Sequence, residues 1–287
     1  MCKMKANIRG ENSEVSMAGL VIDHGNPWWL SPNVWVVPVA NPGEGPPGEL
    51  APVVNQQYYA VANVRNTTDA DILNATVYFW WANPSLGILT SANATQIGTS
   101  SVSVNAGQTN STLELAPWTP SFVNNGHECI IAAVVTGGGP PPAVLDGAND
   151  PTVAQHNLGV VLAGQQGRFH YPFQVCNPSR VEQTFVIQAR EAPVEEAKPF
   201  FKTQHARDGK LGKHGFLRTS CPDPEEYGHA KPVLDGIRLA PFSCTGFTLV
   251  GTVEGGPVLV HVTQLAGDQI IGGLSVLAAP EGKEARG

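Results

Sequence analysis

Four residues, His205, His214, Cys221 and His229, fall in one stretch of the chain and are of the types that bind zinc. Zinc sites ordinarily contain at least one close ligand pair, because a short turn aims two side chains at one metal. Here the gaps are irregular, so the stretch reads as a basic, solvated insertion, with a metal site as the lesser alternative. The same stretch, residues 191–232, carries Lys198, Lys202, Arg207, Lys210, Lys213, Arg218 and Lys231, a set able to grip an acidic surface. Loops of this length are usually functional or disordered.

Other reactive types are scattered. His127 and Cys129 alternate along one expected strand and face the same side, yet no partner completes a Cys–His nucleophile, and packing is the simpler role. Asp146, Asn149 and Asp150 crowd one turn that could hold calcium, but the ligand ladder of an EF-type loop is missing. No Gly-rich phosphate loop, nucleophile elbow or HExxH helix occurs. The chain is therefore expected to be non-enzymatic and to need no cofactor.

Five cysteines (Cys2, Cys129, Cys176, Cys221, Cys244) form an odd set without a C-x-x-C pair, which argues against a full disulfide framework. One bridge joining Cys176 or Cys221 to Cys244 stays open beside buried free thiols. Asn-x-Ser/Thr triplets begin at Asn66, Asn74, Asn93 and Asn110, and become glycosylation sites only after export through a glycosylating compartment. All six tryptophans, Trp28, Trp29, Trp35, Trp80, Trp81 and Trp118, lie in the first half. Trp35, Trp80, Trp81 and Trp118 read as core and corner residues. Two of the six exposed side by side would instead make a platform on which a glycan ring could stack.

The elements that would position these residues are strands. Runs at 33–39, 56–66, 72–82, 100–104, 111–116, 127–135 and 154–163 are rich in β-branched and aromatic residues and are spaced as in a sandwich. A second set follows at 168–176, 183–190, 236–241, 244–253, 257–265 and 269–278. Thr184, Val186 and Gln188 alternate with Phe185, Ile187 and Ala189, the signature of a strand with one wet face. The joints 41–52, 66–71, 105–108 and 136–142 carry turn residues, and Asn-Ala-Gly-Gln at 105–108 predicts a hairpin. The fold class expected is all-β: two consecutive Ig-like sandwiches, with a long basic insertion in the second.

Charge divides the chain along the same line. Between Gly25 and Ala163, Arg65 is the single basic residue, against Glu44, Glu49, Asp69, Asp71, Glu114, Glu128, Asp146 and Asp150. The formal charge of −7 resides there, since the remainder balances. Nucleic acid is an unsuitable partner for such a surface. Soluble β-proteins often guard sheet edges with lysine. A module without lysine must guard its edges with Pro-rich loops and bulges, cover them with its neighbour, or use them to pair with another chain. No apolar run reaches the length of a membrane span, and residues 1–24 lack the apolar core of a secretory signal.

The ordered series NPWWLSPNVWVVP (26–38), VANVRNTTDADILNATVYFWWANP (61–84), NAGQTNSTLELAPWTP (105–120), GHECIIAAVV (126–135) and DPTVAQHNLGVV (150–161) is similar to bacterial Ig-like modules related to the CARDB (cell-adhesion-related) domains. The resemblance covers about residues 26–163. It implies a seven-stranded sandwich used as an adhesion, spacer or assembly module of the kind that decorates larger secreted or surface proteins, and no catalytic residues; composition suggests an extracellular or particle surface. The expected organisation is an N-terminal segment (1–24), flexible or an assembly arm; a first sandwich (25–163); a second (164–280) with its insertion; and a flexible tail (281–287). The function expected is a structural or assembly role, through self-association or within a larger bacterial surface, filament or injection-type particle. A carbohydrate- or cell-surface-binding module is the alternative.

Overall fold

A computed structural model describes residues 19–46, 48, 52, 55–83, 85–86, 89–90, 94–120, 129–197, 200, 210–211, 217–219 and 231–280. The first half runs β1 (Leu20–Val21), β2 (Val34–Pro38), β3 (Tyr58–Asn66), β4 (Ile72–Ala82), β5 (Ser85–Leu86), β6 (Leu89–Thr90), β7 (Thr95–Val104), β8 (Thr109–Leu113), β9 (Cys129–Val135), β10 (Val144–Leu145) and β11 (Val153–His156). The second runs β12 (Leu158–Ala163), β13 (Arg168–Cys176), β14 (Gln183–Glu191), one helical turn α1 (Val194–Ala197), β15 (Lys210–Leu211), β16 (Leu217–Thr219), β17 (Val233–Leu239), β18 (Cys244–Glu254), β19 (Val258–Ala266) and β20 (Gln269–Pro280). The protein is all-β, as its composition predicts.

In the first sandwich β3 pairs with β1, β2 and β8 in one sheet, and β11, β9, β4 and β7 lie side by side in the other. Their inner faces close on Val34, Val36, Ala60, Ala62, Val77, Phe79, Val102, Ile130 and Ala132, all buried. Each large apolar side chain so enclosed is worth roughly 1.5–3 kcal/mol. The central strand β9, Cys-Ile-Ile-Ala-Ala-Val-Val, has no wet face because the outer side is covered too, by Leu145 and Val153. In the second sandwich β12, β20, β19, β14 and β17 face a sheet in which β18 pairs with β13, β15 and β16. Phe169, Tyr171, Phe173, Phe185, Ile187, Leu249, Val260 and Val276 fill the space between. The wet and dry alternation expected along β14 is observed, with Phe185, Ile187 and Ala189 buried.

The two sandwiches share one antiparallel pairing scheme. The pairs β3–β8, β4–β7, β4–β9 and β9–β11 in the first recur as β13–β18, β14–β17, β14–β19 and β19–β20 in the second. The corner after β3 and the corner after β13 are also built alike, on Asn66 and Asn177. Each asparagine accepts from the backbone N–H two residues on (Thr68 and Ser179, both 2.9 Å). Each donates to the carbonyl four residues on (Ala70, 2.7 Å; Val181, 2.8 Å) and to the last residue of the neighbouring β7 or β17 (Val104 and Leu239, both 3.0 Å).

Several expectations are corrected. Leu20 and Ile22 of the N-terminal segment enter the first core, with β1 paired to β3. The run 154–163 is two strands: β11 stays in the first sandwich, and β12 crosses to pair in parallel with β20 of the second. The boundary thus falls at Asn157 rather than after Ala163. The basic insertion is not wholly a loop. It contributes α1, and β15 and β16 pair with β18, because Leu217 supplies an apolar side chain that the second core buries. The predicted hairpin at 105–108 is present, closed by Gln108 N donating to Asn105 O (3.0 Å) with Gly107 at positive φ, as a tight turn requires.

Candidate functional site at the seam between the sandwiches

Asn157 stands where the chain leaves one sandwich for the other. Its backbone N–H donates to Trp29 O (2.9 Å), its carbonyl accepts from Ser275 N (2.9 Å), and its side chain donates to Gly273 O (2.9 Å). Trp29 is thereby laid on β20 directly over Gly273, where a Cβ would stand 2.4 Å from the indole. Only glycine admits the ring at that distance. Trp28 meets Trp29 edge to face, with ring centroids 5.6 Å apart. Leu30, Leu158, Ala192, Ala197, Phe200, Leu259 and Leu277 close the cluster, which draws on both sandwiches and on the segment around α1. A second weld lies where β5, from the first half, adds in parallel to β13.

A chain of hydrogen bonds runs through this apolar cluster. Trp29 Nε1 donates to Ser275 Oγ (3.1 Å), Ser275 Oγ lies 2.8 Å from His261 Nδ1, and His261 Nε2 lies 2.9 Å from Glu196 Oε2. Arg190 stands 3.8 Å from the same carboxylate. With His261 neutral and protonated on Nε2, every donor has an acceptor: indole to hydroxyl, hydroxyl to Nδ1, and Nε2–H to the carboxylate. Burial holds the imidazole below its ordinary pKa, and Arg190 adds to this, while Glu196 opposes it.

Serine, histidine and glutamate in series resemble a hydrolytic triad, but the roles are inverted. In such a triad Nε2 takes the serine proton and the acid holds Nδ1. Here Nδ1 faces the serine and Nε2 the acid. Ser275 is also fully buried beneath Trp29, so its hydroxyl has no approach for a substrate in this conformation. The arrangement can fasten elements together; it cannot attack a bond as it stands. Sequence reasoning missed it, although a histidine inside the apolar run Val-Leu-Val-His-Val was a signal of a buried polar partner.

The residues singled out by sequence are not gathered here. Trp29, Trp35, Trp80 and Trp118 are at most 6% exposed, and Trp28 and Trp81 are half-buried. No two tryptophans stand exposed side by side, so the glycan platform loses its physical basis. Lys198, Lys202, Arg207 and Lys213 lie outside the described residues, as do His205, His214, Cys221, His229, His127 and Asn93. Lys210 and Arg218 sit on β15 and β16. Among the described residues no cluster of histidine, cysteine and carboxylate side chains could hold a metal. The carboxylates of Asp146 and Asp150 accept from backbone N–H groups of Ala148, Asn149 and Thr152, so they brace the turn rather than face a cation.

Cys176 and Cys244, opposite each other on β13 and β18, form a disulfide. Cys129 is a buried thiol whose pKa burial pushes far up, which leaves it unreactive. Arg65, the lone cation of the first sandwich, is held by both carboxylate oxygens of Asp23, at 2.5 and 2.7 Å. The pair borders a shallow cleft of about 540 Å³ with Val21, His24 and Thr67.

The lysine-free sheet edges are guarded in other ways. On the edge strand β7, Asn110 Nδ2 donates to Ser103 O (3.0 Å) and Thr112 Oγ1 to Ser101 O (3.3 Å), which occupies two outward carbonyls. Along β2 the Pro-rich loop folds back, with Trp35 Nε1 donating to Glu44 O (3.2 Å) and Gly48 set against Val36 O. At the β7 edge, register shifts in the β4–β7 pair add twist.

Two comparisons with known proteins, against family models and against curated sequences, give no match to this chain. Among solved structures, red sea bream transglutaminase is 12% identical, with a TM-score of 0.25 over 88% of this chain; the match spans 31% of the transglutaminase. The serine-rich repeat protein Srr2 of Streptococcus agalactiae is 9% identical, with a TM-score of 0.22 over 85% of this chain and 90% of that one. No helix among the described residues is long and apolar enough to cross a membrane.

Proposed function

We propose that the chain is a non-enzymatic structural or assembly protein built from two Ig-like modules, the first related to the CARDB domains. It would self-associate or form part of a larger bacterial surface, filament or injection-type particle. The observation that carries this reading is the surface of the first sandwich. Its one cation is tied to Asp23, its edges are capped by Asn and Thr side chains, and its strands β7 and β8 present Thr, Ser and Asn to solvent. A surface with few charges loses little hydration when it is covered by a large contact. The seam supports the same reading, because two sandwiches joined by a crossing strand, an added strand and a buried indole make a stiff unit.

The basic insertion is the natural counterpart of the acidic first sandwich, within the chain or on the next subunit. Charge reversal at Lys210 and Lys213 should weaken assembly, and unchanged assembly would remove that contact from the account. Electron microscopy of native material tests the whole reading, with subunits of an ordered particle expected. Dispersed single molecules in native extracts would count against it.

A further inference from the structure

The corner built on Asn66 in the first sandwich and the corner built on Asn177 in the second share a backbone and differ at their tips. In the first, Gln108 N donates to Asn105 O (3.0 Å), and Gly107 between them takes φ +66°. In the second, Ser243 N donates to Ala240 O (3.2 Å), and Phe242 stands at the matching place with φ +53°. That region suits glycine and strains a bulky side chain, and Gly107 shows that the turn closes without one. Burial in its own chain does not offset the strain, since Phe242 is 66% exposed. Beside it Val181, whose carbonyl shares the Asn177 amide with that of Ala240, is 62% exposed. The matching residue of the first corner, at the carbonyl that Asn66 holds, is the small Ala70. A strained, exposed apolar tip that the turn does not require points to a contact outside the chain.

A Cβ placed at Gly107 would have no atom within 4 Å, and this open space belongs to the cleft of about 540 Å³ in the first sandwich. Val21, Ile22 and Pro151 give the cleft apolar surface, and Arg65 lines it with its guanidinium held by both carboxylate oxygens of Asp23. A half-exposed guanidinium fixed in this way can take an aromatic ring on its face. The charges agree with such a fit. The first corner exposes Asp69 and Asp71, whereas the second has Arg180 at the place of Asp69 and is neutral with Glu182. We infer that Phe242, with Val181 beside it, is a knob that seats in the Gly107 cleft of a second copy of this chain, with Arg180 set toward Asp69 and Asp71. The inference rests on the self-association proposed above and gives it a direction. Knob and cleft are different surfaces, so each copy keeps one of them free after pairing. The contact is therefore head-to-tail, and it extends into an open chain or closes as a ring.

Light scattering on two single variants of the full chain, and on their mixture, tests the contact. Phe242→Gly removes the knob and suits the backbone angle, so its denaturation midpoint should equal or exceed that of the wild type. Gly107→Asn introduces a residue that tolerates the angle and places a polar side chain across the cleft. Each variant alone should associate at least tenfold more weakly than the wild type. Mixed in equal amounts they should form a one-to-one dimer and stop there, since one intact knob and one intact cleft remain to meet. Leu115→Ser, at another exposed apolar residue outside both surfaces, should associate as the wild type does. If the wild type associates and Phe242→Gly associates equally well, this inference falls and the self-association reading stands; a wild type that stays monomeric removes both. A mixture that stays monomeric while the wild type associates overturns the head-to-tail contact. Binding of Phe242 to phosphatidylserine vesicles in place of a second copy would assign the knob to a lipid surface and overturn it as well.

Discussion

Asn66 and Asn177 make the same hydrogen bonds at the same corner of two different sandwiches. Each side-chain amide stitches its own turn to the neighbouring strand end, and each backbone N–H reaches across the corner, to Gln108 O and to Ser243 O at 2.9 Å. Both residues are about 1% exposed, so water cannot replace the bonds. Asn66→Ala and Asn177→Ala should each lower unfolding free energy by about 2–3 kcal/mol, because several buried partners are orphaned at once. Chemical denaturation measures this, with exposed Asn110→Ala, expected to cost under about 1 kcal/mol, as the control. The same burial makes Asn66 a corner plug rather than a glycan acceptor, whereas Asn74 is exposed.

The disulfide closes a 68-residue separation, and loop-closure entropy for that length corresponds to roughly 4 kcal/mol. A Cys176→Ser, Cys244→Ser double variant should be destabilised by about 2–4 kcal/mol, read as a lower denaturation midpoint. Peptide mapping after alkylation of the native protein should leave Cys129 unmodified. Ready modification of Cys129 would mean that the outer face of β9 is open.

Gly273→Ala places a methyl group where Trp29 lies. The indole must leave β20, and with it go the hydrogen bond to Ser275 and part of the seam cluster. A loss of about 3–5 kcal/mol is expected, comparable to truncating the tryptophan itself. A Trp29→Ala, Gly273→Ala double variant should lose no more than Trp29→Ala alone, since the clash has been removed; a simple sum would show that the two do not meet.

Stability should depend on pH with opposite signs at two places. His261 and His156 lie below the ordinary value of 6.5 in the folded protein, so the unfolded chain binds their protons first. Their contribution is complete above about pH 6.5 and is lost as pH falls toward the folded values. Glu114 behaves inversely. Burial holds its pKa above the ordinary 4.5, against the N–H bonds from Ala116 and Leu115, and its Oε2 has no partner among the described residues. Its contribution is present below pH 4.5 and is lost as pH rises through the folded value. Glu114→Gln should therefore raise stability near neutral pH by about 1 kcal/mol, and denaturation at pH 4 and 7 gives the comparison.

Most strands were legible because alternation and β-branched runs mark a half-wet sheet, as along β14. The break at Asn157 was not, since 154–163 reads as one strand-like run, and the buried Asn157 that divides β11 from β12 follows two other polar residues, Gln155 and His156, with no Gly or Pro beside it to mark a turn. The kinship of the two sandwiches was hidden for a related reason. What they share is a pairing scheme and an Asn-x-Ser/Thr corner, while their core residues differ, with every tryptophan in the first half. The Ser275–His261–Glu196 chain joins three separated segments, and no local spacing records such a meeting.

The central proposal is that these modules exist to assemble, and mass measured by multi-angle light scattering over a concentration series tests it most directly. The account predicts masses that rise in multiples of the 30.3 kDa chain as concentration increases. A constant 30.3 kDa at every concentration, with no partner co-purifying from the native source, would contradict it.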